Sequence, residues 1–112
     1  MPDPIKLLVI EDQPLTRIGI RQVIANEPDI EIAAETDNAA EGFEMFEKLR
    51  PDVTILGLRL RDSCSIDDLD NYFVADRNAR IIVLAQHAGD AEISKAFKKG
   101  ALGYICKDVS PE

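Results

Sequence analysis

The chain contains no tryptophan, one histidine and two cysteines in 112 residues. Neither Cys64 nor Cys106 stands in a spaced cluster with His87, so the thiols do not make a zinc site. Basic residues are also in short supply: 13 Lys and Arg against 21 Asp and Glu leave a net charge of −8. A face that binds nucleic-acid phosphates needs surplus Lys and Arg, so direct DNA or RNA binding by this chain is not expected. Docking on an anionic membrane is disfavoured for the same reason. No apolar run approaches the ~20 residues of a membrane span. Met1-Pro2-Asp3-Pro4 does not open a signal peptide, which makes a reducing cytoplasm the expected compartment. Repeats, low-complexity tracts and interdomain linkers are absent, as is any glycine-rich phosphate loop.

What remains is an ordinary globular composition, 46% hydrophobic and 30% charged. Its length allows a single domain, residues 1–112, with a core that needs no staples. Short apolar runs alternate with amphipathic stretches. Ile5 to Ile10, Val53 to Leu58 and Ile81 to Ala85 are nearly continuous apolar segments, suited to strands covered on both faces of a parallel sheet. Glu31 to Glu35 is charged at both ends and reads as an edge strand. Gly103 to Cys106 is a short fifth strand.

Helical patterns fill the intervals. Pro14 suits a first helical position and opens a helix to about Asn26, with an apolar side that includes Leu15, Ile18 and Val23. Asn38 and Glu41 have capping-box spacing, followed by a stripe of Ala39, Gly42, Phe43, Phe46 and Leu49. Ser65 and Asp68 repeat that spacing ahead of Ile66, Leu69 and Phe73. Asp90 heads a fourth helix expected to bury Ile93, Ala96 and Phe97. Five strands with intervening helices and right-handed crossovers predict a doubly wound α/β sheet. Ser110-Pro111-Glu112 has the signature of a helix start. The expectation is a fifth helix, missing or truncated, and an N-terminal part of a longer protein.

In such a sheet a ligand site lies beyond the carboxyl ends of the strands. That edge collects Glu11 and Asp12 after the first strand, Gly57 to Arg59 after the third, Ala85 to His87 after the fourth, and Lys107 after the fifth. Two adjacent acids opposite a lysine form a cation-binding and charge-balancing arrangement, although a hard ion such as Mg²⁺ wants several oxygen ligands. Capping of the first helix is the structural alternative for the two acids.

The stretches KLLVIEDQPLTRIGI, PDVTILGLRL and GALGYICKD, in that order, resemble the receiver domain of two-component response regulators. The likeness runs from Lys6 to the end. The Lys107-Asp108 ending is similar to the NarL/FixJ group, whose receivers usually precede a LuxR-type helix-turn-helix domain. The resemblance implies a five-stranded parallel sheet in flavodoxin-like order 2-1-3-4-5. It also implies that Glu11 and Asp12 match the acidic pair holding Mg²⁺, Lys107 the lysine that contacts the phosphoryl group, and Tyr104 the switch aromatic.

The pattern then departs from the family. Gly57 occupies the position of the aspartate that accepts the phosphoryl group, and Ala85 the position of the Ser or Thr hydroxyl that bonds it. Arg61 and Ser65 replace the usual proline and glycine of the following loop. Phosphoryl transfer needs a carboxylate nucleophile, and glycine has no side chain to offer. Mg²⁺ loses a ligand as well, leaving only weak affinity through Asp12. A degenerate pseudo-receiver is therefore expected. It would be no enzyme and hold no firmly bound cofactor, and it would act through a homodimer or protein partner to control a fused DNA-binding output domain.

Two other readings compete with this one. A displaced acid such as Asp62 would make the chain a working phosphoacceptor. Asp52 is excluded from that role because it lies five residues before Gly57, about 16 Å back along the strand. A flavodoxin-like nucleotide or flavin binder would present hydroxyls and amides after the first strand, where Glu11-Asp12-Gln13-Pro14 would repel a phosphate.

Overall fold

A computed structural model describes residues 3–60, 63–85 and 90–106. The elements run β1 (Ile5–Ile10), α1 (Pro14–Ala25), β2 (Ile30–Thr36), α2 (Ala39–Leu49) and β3 (Val53–Gly57). They continue with β4 (Arg59–Leu60), β5 (Ser63–Cys64), α3 (Ser65–Ala75), β6 (Ile81–Ala85), α4 (Asp90–Lys98) and β7 (Gly103–Cys106). Five strands form one parallel sheet in the order β2-β1-β3-β6-β7. Counting the strands of that sheet alone, this is the expected 2-1-3-4-5. The edge strand read from Glu31 to Glu35 is β2, extended by one residue at each end.

The main core lies on one face. Leu8, Ile10, Leu56, Leu58, Ile81, Val83 and Ala85 meet Phe46 of α2, Leu69 and Tyr72 of α3, and Ala96 of α4. Strand alternation sends every second residue to this face, which is why Leu8 and Ile10, or Leu56 and Leu58, point the same way. Tyr72 packs edge-on against Phe43 and Phe46, with ring centroids 5.0 and 4.8 Å away. Such geometry suits the ring quadrupoles and locks α3 to α2. At Gly42 the helix approaches β1 so closely that a Cβ would stand 2.7 Å from Ile10 Cδ1. A right-handed crossover from β1 out to β2 places α1 on the opposite face from α2, α3 and α4.

The helix orientations correct two expectations. Leu15, Ile18 and Val23 were to face inward, but they are 82%, 44% and 66% exposed, and α1 buries no residue fully. Its partly covered side instead runs along Thr16, Ile20 and Ile24. In α4 Ala96 is fully buried as expected, whereas Phe97, expected beside it in the core, is 47% exposed. The side chain of Ile93 lies outside the described residues. The segment after β3, read as a loop, folds back as a two-stranded antiparallel ribbon pairing Arg59 with Cys64 and Leu60 with Ser63. Among the described residues no helix is long and apolar enough to cross a membrane. The expected start of a fifth helix, Ser110 to Glu112, lies outside the described residues.

Candidate functional site

The carboxyl edge of the sheet assembles from backbone register. In the β1–β3 ladder Ile10 pairs with Leu56, so the next residues in step, Glu11 and Gly57, stand side by side. Neighbouring strands are about 4.8 Å apart. Gly57 pairs with Leu84 of β6, and the Leu58 amide donates to the Leu84 carbonyl at 2.7 Å. Ala85 follows at the end of β6 and pairs with Cys106, the last residue of β7. Glu11, Gly57 and Ala85 therefore line one edge, with Lys107 next in the chain after Cys106. Lys107, Asp62 and His87 themselves lie outside the described residues.

The two acids have different surroundings. Glu11 is 0% exposed, and its amide donates to the Thr36 carbonyl at 3.0 Å, continuing the β1–β2 ladder one step. Asp12 is half-buried. Neither lies in the first turn of α1, where Gln13 takes the cap position and receives a 3.2 Å hydrogen bond from the Thr16 hydroxyl. The capping alternative for Glu11 and Asp12 therefore does not hold.

A divalent ion is the group that the resemblance implies here. Gly57 supplies no donor atom from a side chain, Ala85 supplies a methyl group, and Glu11 is closed off from solvent. Asp12 is left as the accessible carboxylate among the described residues of this edge. Mg²⁺ requires near-octahedral oxygen coordination, and these residues do not fit a firmly held ion. Among the described residues no group of three or more His, Cys, Asp or Glu is placed to hold a metal.

Thr36 forms a wall of the site that the sequence did not single out. It is buried at the end of β2, and its hydroxyl donates to Glu41 Oε1 at 2.6 Å while accepting from the Asn38 amide at 3.2 Å. Asn38 Oδ1 in turn accepts from the Glu41 amide at 2.8 Å, so the expected cap of α2 is present. The Glu41 carboxylate turns to Thr36, and the β2–α2 turn is fixed beside Glu11 as a result. Tyr104 pairs with Val83 across β6–β7 and lies partly buried against the main core. That placement accords with a packing role.

Asp52 sits at the far end of the sheet, as its distance along β3 requires. Its Oδ2 accepts from the Lys6 amide at 2.8 Å, and its own amide donates to the Lys6 carbonyl at 2.9 Å. It is a strand-end clamp remote from Gly57.

A sequence profile for the response regulator receiver domain matches residues 7–112. The nitrate/nitrite response regulator protein NarL of Escherichia coli (strain K12) is 34% identical over 110 residues, covering 98% of this chain and 51% of that protein. The chain thus spans about half the length of the curated relatives it matches. Among solved structures, a LuxR-family two-component response regulator from Aurantimonas sp. SI85-9A1 is 29% identical with a TM-score of 0.88. The match covers 97% of this chain and 78% of that one. The receiver domain of a NarL response regulator from Mycobacterium tuberculosis, 23% identical, shares the fold at a TM-score of 0.88, covering 97% and 88% of the two chains.

Proposed function

Because the chain belongs to the response regulator receiver domain family, we propose that it is a regulatory domain of that family that works without phosphorylation. The observation that carries this reading is Gly57. At the end of the third sheet strand, beside Glu11 and one residue short of Leu58, the backbone bears no carboxylate to attack a phosphorus. Ala85 supports it independently: a methyl group at the end of β6 has no hydroxyl to reorient toward a phosphoryl oxygen. Two losses in separate strands point to a domain released from phosphorylation.

Glu11, Asp12 and Lys107 then act as structural charges. An ammonium group held away from water is costly to leave unpaired, and carboxylates are its natural partners. Tyr104 becomes a packing residue. In the whole protein this domain precedes a helix-turn-helix output domain, which it controls by dimerising or by binding a protein partner. The domain itself makes no contact with DNA, in keeping with its net charge of −8.

Incubation with acetyl phosphate and Mg²⁺, followed by intact-mass measurement, tests the reading. The expected result is an unchanged mass. A stable gain of one phosphoryl group, mapped by peptide analysis to Asp62 or another displaced acid, overturns it.

A further inference from the structure

The amino edge of the sheet, at the far end of β3 from Gly57, holds a cleft of about 600 Å³. It opens where β1, β3 and β6 begin and α2 ends, and Lys6, Arg50 and Arg80 line it together with Asp3 and Asp52. Its volume falls within the roughly 300–1,000 Å³ of sites that take small organic molecules. Backbone bonds fix the frame. The Asp52 amide donates to the Lys6 carbonyl at 2.9 Å, and the Thr54 amide to the Arg80 carbonyl at 2.9 Å.

Three cations stand against two acids in this lining, in a chain that carries −8 overall. Elsewhere the surplus carboxylates find the bases: Arg21 pairs with Glu35, Lys48 with Glu44, and Lys99 with Asp70. The side chains of Lys6, Arg50 and Arg80 have no carboxylate partner among the described residues. Asp52 Oδ2 is instead taken up by the Lys6 amide at 2.8 Å. Arg50 also carries a backbone cost. It caps α2 in the left-handed region, at φ 49° and ψ 60°, where a Cβ is crowded and glycine is favoured. Just past α4 the chain meets a positive φ with Gly100. The helix dipole favours a cation at the end of α2, but Lys48 in the last turn already supplies one. Arginine in the capping position brings a guanidinium to the cleft.

We propose that this cleft binds a small organic phosphate of nucleotide size, with a nucleoside monophosphate as the type. Arg50 and Arg80 take the phosphate, because a guanidinium fork matches its oxygens in pairs and stays charged at every ordinary pH. Lys6 adds a compact positive charge beside them. Ile5 and Leu49, 44% and 43% exposed, offer apolar walls to a flat ring. Asp3 is left to accept from hydroxyl or amino groups, which a bare inorganic anion does not carry. Both arginines are exposed and the cleft is open to water, so the expected dissociation constant is weak, about 0.1–1 mM. The proposal goes beyond the reading of Gly57 and does not depend on it, since the two sites lie at opposite ends of β3.

Titration of the full chain with AMP, followed through backbone amide NMR shifts, tests the proposal. Saturable shifts should centre on Lys6, Arg50, Asp52 and Arg80 and leave Glu11, Gly57 and Ala85 unmoved. Arg50→Gln and Arg80→Gln should each weaken binding about tenfold, the loss of one charge-assisted contact. Arg21→Gln removes the same charge from α1, outside the cleft, and should stay within about twofold of the wild type because solvent and salt screen it. Adenosine and inorganic phosphate should each bind at least about tenfold more weakly than AMP, one lacking the head and the other the body. The dispersion of each variant's amide spectrum monitors its fold. Four outcomes would each overturn the proposal: no saturable shift up to about 10 mM AMP, shifts centred on Gly57, cleft variants that bind like the wild type, or either fragment binding as tightly as AMP. None of them bears on phosphorylation, which the mass measurement decides separately.

Discussion

Glu11 and Gly57 are neighbours across the β1–β3 ladder, the first fully buried and the second without a side chain. A carboxylate introduced at Gly57 would therefore stand beside a second carboxylate already inside the protein. Like charges at that separation disfavour the ionised forms. Gly57→Asp alone should lower stability at neutral pH by about 1–3 kcal/mol. Mg²⁺ should recover part of that loss, while leaving the wild type unaffected. Urea unfolding with and without millimolar Mg²⁺ measures both effects, and a neutral substitution would place Gly57 away from the acids.

Adding the hydroxyl on β6 completes the test of the site. Gly57→Asp with Ala85→Thr supplies the nucleophile and the oxygen contact that the edge lacks. Acetyl phosphate should then modify the double variant at a low but measurable level, against none for the wild type. An unmodified double variant would mean that the edge has diverged at more than these two positions.

Gly42 and Gly19 provide a paired stability test because their surroundings are opposite. A methyl group at Gly42 meets three side-chain atoms of the fully buried Ile10 at 2.7–2.9 Å, with no room for β1 to give way. Gly42→Ala should cost about 1–3 kcal/mol as overpacking. Gly19→Ala meets nothing and should gain about 0.5–1 kcal/mol from helix propensity. Thermal unfolding of each variant beside the wild type should show shifts of opposite sign.

The β2–α2 turn predicts a smaller loss. Asn38→Ala removes the acceptor for the Glu41 amide and should destabilise by about 1 kcal/mol. Thr36→Val also strips the partner from the Glu41 carboxylate and from the Asn38 amide. The two effects should not add, because both substitutions break one connected network. A double-mutant cycle in urea reads the coupling.

Much of this fold is legible in the sequence because its strands are buried on both faces. Ile5–Ile10, Val53–Gly57 and Ile81–Ala85 read as apolar runs that only an inner parallel strand accommodates. The orientation of α1 is not legible, since Leu15, Ile18, Ile20, Val23 and Ile24 spread around the helix and periodicity does not select a side. Phe97 turns outward for a related reason: adjacent positions differ by 100° of rotation, so Ala96 and Phe97 cannot both take the closest contact, and the smaller residue fits it. The β4–β5 ribbon is too short to show any alternation. Within the site, the departures at Gly57 and Ala85 follow from the resemblance to the receiver family. The part played by Thr36 does not, because a threonine at a strand end looks like strand filler until its hydroxyl is seen to reach Glu41.

Tyr72 predicts how the fold fails in alkali. Burial pushes its phenol well above the ordinary range near 10, and the nearby Asp68 carboxylate adds to the shift. The folded chain therefore keeps a proton that the unfolded chain releases from about pH 10 upward. This contribution to stability is fully present below that pH and is lost as the pH rises above it, by about 1.4 kcal/mol per unit at 25 °C. Tyr72→Phe keeps the ring against Phe43 and Phe46 and removes the ionisable group. Urea midpoints measured from pH 8 to pH 12 should fall more steeply for the wild type than for the variant once the pH passes 10. Parallel curves would mean that Tyr72 ionises as readily in the folded protein as in the unfolded chain, which its place in the core argues against.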